Sequence, residues 1–236
     1  YDTALFANVS DTQDPTHAQP RYVKTWLHNG VFGWDERRSK QYYQGDSLQP
    51  LLLAQFFEQP DALDSEEFAQ GYHCLAGKIL RQEIYAADFQ GIPEDHPYQI
   101  NQTGYCIRRL QPKGPSSDSC FYGYQTESLS IAYEKNPGDP KISHHLSLLV
   151  NNYGDIEKEV SIAYARRSTA PGRLPAQSRD YITAASHRFA LTDGLNQYRT
   201  GTLYETLDYE INHLAHDIND LVSYRQTQNA FDGLIG

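Results

Sequence analysis

The sequence predicts a mainly β fold assembled from antiparallel meander sheets, with short helices near 64–76 and 213–224. Three observations carry this. Residues 127–167 alternate apolar and polar side chains in three successive runs: Leu129, Ile131 and Tyr133; then Ile142, His144, Leu146, Leu148 and Val150; then Val160, Ile162 and Tyr164. A spacing of two puts such residues on one side of a sheet. The breaks between runs, Asn136-Pro137-Gly138-Asp139-Pro140 and Asn151-Asn152-Tyr153-Gly154-Asp155, have turn chemistry, and strands joined by short turns pair antiparallel. The chain also holds 18 tyrosines, a residue suited to strands whose ring packs while its hydroxyl reaches water or a backbone partner.

In chain order, residues 1–20 are rich in turn formers, with a short strand expected over 4–9. Residues 22–28 form a strand with Tyr22, Lys24, Trp26 and His28 on one face, ending at the turn pair Asn29-Gly30. Residues 35–44 are expected to be helical. A clearer helix follows: Asp64 and Glu67 have capping-box spacing, Phe68, Tyr72 and Leu75 share a face, and Gly77 sits where a left-handed C-terminal residue belongs. Residues 78–86 read as a strand and 98–110 as a strand pair or one long strand, with a bulge or kink at Gly104. Residues 120–124 form a short strand leading into the meander. Residues 168–180 read as a linker, 181–191 as a strand closed by a turn at 192–194, and 203–211 as a strand. Ile211, Leu214, Ala215, Ile218, Leu221 and Val222 recur at helical spacing, so a helix is placed over 213–224. This gives four segments: a β segment at 1–34, an irregular or helical insertion at 35–77, the meander at 78–167, and at 168–236 a linker with further strands and a helix.

The formal charge of −10, from 20 basic and 30 acidic residues, opposes sequence-independent nucleic-acid binding, which needs a basic surface. The pairs Arg37-Arg38, Arg108-Arg109 and Arg166-Arg167 read as solvated strand and loop ends. No apolar run has membrane-spanning length. The chain starts at Tyr1 and contains no Met, so it is expected to be a piece of a longer polypeptide. Cys74, Cys106 and Cys120 have neither a disulfide-framework count nor zinc spacing and are expected to be free thiols.

Candidate chemistry is sparse. His144 and His145 are adjacent on a strand, so one faces inward and one outward, and they cannot share a metal. His213 and His216 could share a helical face with Asp217 or Asp220, but no third ligand has a fixed spacing. His73 and Cys74 diverge on a helix. Glu127, Glu134, Asp61, Asp64 and Glu67 are explained by solvation and helix-end electrostatics better than as glycosidase carboxylates. No nucleotide-binding or hydrolase motif occurs. The expectation is therefore no catalytic, cofactor-binding or metal site, and not an enzyme.

The segments GKILRQEIYAAD (77–88), PYQINQTGYCIRRLQPKG (97–114) and the whole of 127–167, with TWLHNG at 25–30, resemble the B component of bacterial insecticidal Tc toxin complexes, downstream of its propeller. Order and spacing carry the resemblance: Arg81-Gln82-Glu83 with Tyr85, Tyr105 with Ile107-Arg108 and Leu110-Gln111-Pro112, and Tyr153-Gly154-Asp155 with Val160, Ile162, Tyr164 and Arg166-Arg167. The resemblance implies a segment of an Rhs-like hollow β-shell, which B forms with the C component around a cytotoxic effector. Its implied partners are the C component and, through the propeller outside this segment, the pore-forming A component. It implies a secreted, extracellular toxin complex, with no cofactor, no nucleic acid and no membrane insertion by this segment. Regular YD repeats are absent from this chain. The competing reading is a β-sandwich that binds glycans through exposed Trp26, Trp34 and tyrosines.

Overall fold

The computed structural model describes residues 2–3, 20–31, 39–46, 53–88, 90–115, 118–133, 136–167, 174–194, 197–212, 214 and 221–235. The expected strand at 4–9, residues 35–38 of the expected helix at 35–44, Trp34, Glu134, His213, His216 and the start of the linker lie outside these residues, while Lys40 to Gln44 are turn and irregular backbone rather than helix. The chain divides into two compact units: Tyr1–Gln125 with Leu129–Pro140, and Thr126–Ser128 with Lys141–Gly236.

The first unit contains β1 (Asp2–Thr3), β2 (Arg21–Leu27), β3 (Gln55–Phe57), α1 (Ser65–His73), β4 (Ile79–Ala86), β5 (Gln99–Gln111) and most of β6 (Cys120–Ala132). The sheet order is β1-β2-β4-β5-β6, with β3 beside β5. β2 pairs antiparallel with both β1 and β4, and β4 with β5. β3 pairs parallel with β5, Gln55 opposite Tyr105; its three residues were too short to show a periodicity. β5 runs through Gly104 unbroken, and Cys120 to Tyr124 is the start of one 13-residue strand rather than a separate short one.

α1 begins as its sequence dictates. The Asp64 carboxylate accepts from the N–H groups of Glu66 and Glu67, and the Glu67 carboxylate accepts from the N–H of Asp64. Gly77 follows the helix at φ +80°, a conformation only glycine adopts freely, and its N–H donates to His28 O at 2.9 Å. The apolar face of α1 packs into an aromatic core with Phe57, Tyr72, Leu75, Leu80, Tyr105 and Ile107.

The second unit contains β7 (Lys141–Val150), β8 (Ile156–Ala163), β9 (Tyr181–Gly194), β10 (Gln197–Ile211) and α2 (Tyr224–Ile235), ordered β7-β8-β9-β10 and antiparallel throughout. Asn151 builds the β7–β8 turn: its Oδ1 accepts from the N–H groups of Tyr153 and Asp155. Register aligns buried rows across strands. His144, Ile162, Ile182 and Ile211 form one, and Leu146, Val160 and Ala184 another. Phe231 of α2, with Leu214 and Val222, closes this core.

Two expectations change here. Thr192 to Gly194 are strand, not turn, because β9 and β10 stay paired out to Gly194 opposite Gln197. The second helix begins at Tyr224. Of the span 213–224, residues 213 and 215–220 lie outside the described residues, and Leu221 to Ser223 are not helical. Ser223 caps α2: its hydroxyl accepts from Gln226 N–H, and Gln226 Oε1 accepts from Ser223 N–H. Leu214 and Val222 are apolar because they join the sheet's core.

Candidate functional site

Among the described residues, buried polar side chains gather in three clusters around His144, Arg81 and Glu67. In the second unit, His144 is 2% exposed. Its Nε2 lies 2.7 Å from Glu127 Oε1 and its Nδ1 3.0 Å from Tyr164 Oη. The Val222 N–H donates to the same Tyr164 oxygen at 3.0 Å. The arrangement that satisfies each contact has Tyr164 O–H donating to Nδ1 and Nε2–H donating to Glu127. The order carboxylate–imidazole–hydroxyl copies that of a nucleophilic triad. Its electrostatics oppose such use: burial pushes the Tyr164 hydroxyl pKa upward, whereas a nucleophile needs it lowered. The cluster joins Thr126–Ser128, β7, the end of β8 and the entry to α2, and works as a buried polar tie. His145 faces the other way, toward Ser161 and Glu159, so the two histidines diverge as strand geometry requires.

In the first unit, Arg81 and Glu83 have fully buried side chains paired at 2.8 Å. Glu83 also accepts from the Tyr43 N–H and, at 2.6 Å, from the Tyr85 hydroxyl. The Arg81 guanidinium lies 4.6 Å over the Tyr42 ring. Residues 39–46 thereby lock onto one face of β4. Burial, then the hydrogen bond to Glu83, holds the Tyr85 hydroxyl pKa high.

The third cluster centres on Glu67. Its carboxylate accepts from Ser119 Oγ, from Arg109 Nη1 at 2.8 Å and from Lys113 N–H. The Ser119 hydroxyl foremost, with the Lys113 and Asp64 N–H groups and the Arg109 charge, lowers its pKa to about 2. Nearby, Arg108 makes a bidentate pair with Glu58 at 2.7 and 2.9 Å and lies over Tyr124. Arg108-Arg109 is thus not a solvated strand end: both guanidiniums are spent on carboxylates inside the first unit.

Asp64 is a helix cap, Asp61 lies exposed in a 3-10 turn, and Glu127 is engaged by His144. His73 is exposed, and burial raises the Cys74 thiol pKa. The three cysteines are free, and burial pushes the Cys106 thiol up to about 11. Among the described residues no three His, Cys, Asp or Glu groups come together to hold a metal ion, and no helix is long and apolar enough to cross a membrane. A cavity of about 400 Å³ lined by Arg21, Tyr85, Tyr98 and neighbours brings no acid–base pair together. The glycan-binding reading finds no support at Trp26. Trp26 packs edge-on against Tyr42 at 4.8 Å and donates its N–H to Gln41, so its ring is not a free platform.

Sequence reading missed the Arg81–Glu83–Tyr85 cluster and the Arg109–Glu67 pair. The spacing of two in RQEIY was a signal for the first: Arg81, Glu83 and Tyr85 share one face of the strand.

Solved structures supply the comparison. The fold is similar to the crystal structure of TcdB2-TccC3 (TM-score 0.68, 20% identity, 84% of this chain and 11% of that one). It is also similar to the crystal structure of TcdB2-TccC3-TEV (TM-score 0.71, 20% identity, 89% and 11%), and to the Photorhabdus luminescens Tc holotoxin pore (TM-score 0.64, 20% identity, 84% and 10%). The chain therefore spans about a tenth of the length of these chains. No curated protein sequence is significantly similar. The profile described as insecticide toxin TcdB middle/C-terminal region matches residues 70–210, more than half of the chain. The chain belongs to the family of the insecticide toxin TcdB middle/C-terminal region.

Proposed function

We propose that this segment is part of the wall of a toxin-enclosing β-shell, which a B component forms with its C component and which an A-component pore empties. The observation that carries the reading is the run of long antiparallel strands, most of them joined to their sequence neighbours, whose fold is similar to part of the chains in the TcdB2-TccC3 structures. The similarity to the Tc holotoxin pore structure supports association with an A component and an extracellular complex. A wall must be continuous, and continuous pairing leaves no edge to aggregate. The buried polar clusters fit that task. Each joins segments that the backbone ladder alone does not hold. On this reading the segment has no catalytic role.

Encapsulation is tested in the full-length B component assembled with its C component. Leu146 is fully buried in the core of the second unit, and Leu146→Asp places an unpaired charge there. With the unsubstituted protein, added protease leaves the enclosed effector intact. With Leu146→Asp, the effector is expected to become digestible while the assembly still forms. An effector equally protected, although hydrogen exchange shows β7 and β8 opened, would contradict a wall role.

A further inference from the structure

The turn pair Asn29-Gly30 is the sequence's single Asn-Gly step, and the structure surrounds it with more than turn chemistry. The Gly30 N–H donates to His28 Nδ1 at 2.9 Å. The acceptor nitrogen of that imidazole is therefore unprotonated and aimed at the backbone nitrogen that follows Asn29. The Val31 N–H donates to Asn29 Oδ1 at 3.1 Å, which fixes the side-chain amide and polarises its carbonyl. His28 is itself held: it is 7% exposed, its ring stacks on Tyr72 at 5.9 Å and 9°, and its backbone N–H and C=O pair with Lys78 and Gly77. Gly30 sits at φ +78°, where a Cβ would come 3.1 Å from Ala76 Cβ. Asn29 is exposed, so water reaches it.

We propose that residues 28–31 form a self-modification site at which Asn29 converts through a cyclic imide to aspartyl and isoaspartyl forms. The parts are those of an acyl-transfer centre: a nucleophile (Gly30 N), a base in hydrogen-bond reach (His28 Nδ1), an electrophile (Asn29 Cγ) and a donor on the oxygen where charge develops (Val31 N–H). Gly30 N attacks Asn29 Cγ as its proton passes to His28 Nδ1, and the new N–C bond closes the imide ring. The imidazolium returns that proton to Nδ2, the Cγ–Nδ2 bond breaks, and ammonia leaves. Water then opens the imide at either carbonyl, giving an aspartyl or an isoaspartyl residue. Opening to isoaspartate lengthens the main chain where Gly30 packs on Ala76, so conversion is felt at the contact between this turn and the end of α1.

The test incubates the full-length protein folded and urea-unfolded at neutral pH, and follows position 29 by peptide mapping that separates the asparaginyl, aspartyl and isoaspartyl forms. Conversion is expected to be faster in the folded protein, because the base and the polarising N–H exist only there. In the folded state His28→Gln is expected to slow it about 100-fold, the size of a general-base contribution, and in the unfolded state to leave it unchanged. Folded conversion no faster than unfolded, or His28→Gln converting at the unsubstituted rate, overturns the proposal. Should His28→Gln fail to fold, the folded-to-unfolded comparison on the unsubstituted chain decides alone.

Discussion

Removing one oxygen tests whether the His144 cluster is a structural tie. In Tyr164→Phe the ring stays in place beside His144, at 6.1 Å between centroids, so no cavity opens and the change is purely polar. Two buried groups lose a partner: Val222 N–H, in a residue 1% exposed, and His144 Nδ1. A buried group left without a hydrogen bond costs about 1–3 kcal/mol. The pair should therefore destabilise the surrounding strands by about 2–6 kcal/mol, or roughly 30- to 20,000-fold in an opening equilibrium. Hydrogen exchange of the β7 and β8 amides in the full-length protein reads this directly. Tyr224→Phe is the matched control. Its hydroxyl donates to the carbonyls of Ser147 and Leu148 at 3.1 and 3.0 Å, and oxygens with a second acceptor site lose only about 0.5–1.5 kcal/mol. If Tyr164→Phe weakens protection no more than Tyr224→Phe, the cluster is not the tie described.

Two further outcomes follow from the first unit. The Glu67 pKa is lowered from 4.5 to about 2, so its stabilising contribution is fully present above pH 4.5 and is lost as pH falls through about 2. Glu67→Gln, which retains the capping geometry, should make α1 less stable at neutral pH and flatten its loss of stability over that interval; an unchanged acid profile in circular dichroism or exchange would refute the assignment. Gly71→Ala adds a methyl to a buried helix position facing the Phe57 ring, which is stacked on Phe68 and edge-on to Tyr72. Helix propensity favours alanine by about 0.5–1 kcal/mol, but overpacking costs about 1–3 kcal/mol. Thermal unfolding should therefore show a lower midpoint, and a higher one would mean that the aromatic core yields.

Local patterning made much of the fold legible. The alternation at 127–167 located β7, β8 and the buried half of β6, because one face of each strand meets a core. Asp64, Glu67 and Gly77 located α1, because caps are short-range chemistry. Strand ends were read less well where one side of a strand is wet: β9 and β10 extend past their apolar stretches through backbone pairing alone, as at Thr192 and Gly194. The helix at Tyr224 was displaced because Leu214 and Val222 are apolar for tertiary reasons, while the start signal, Ser223 with Gln226 three residues on, is small and polar. The buried clusters were harder still. That Arg81, Glu83 and Glu67 are inside depends on partners far along the chain, such as Tyr43 and Ser119. His144 was different, since its place in an apolar row made it inward-facing from the sequence, though Glu127 and Tyr164 as its partners became visible only in three dimensions.

The central claim, that this segment is one stretch of a continuous wall, bears most directly on β10. Its inner edge pairs with β9 from Gln197 to Ile211. In the assembled B and C components, hydrogen exchange should find the β10 amides that point away from β9 strongly protected, because a wall continues through the next strand. Exchange of those amides at the rate of an open, solvated edge would contradict the account.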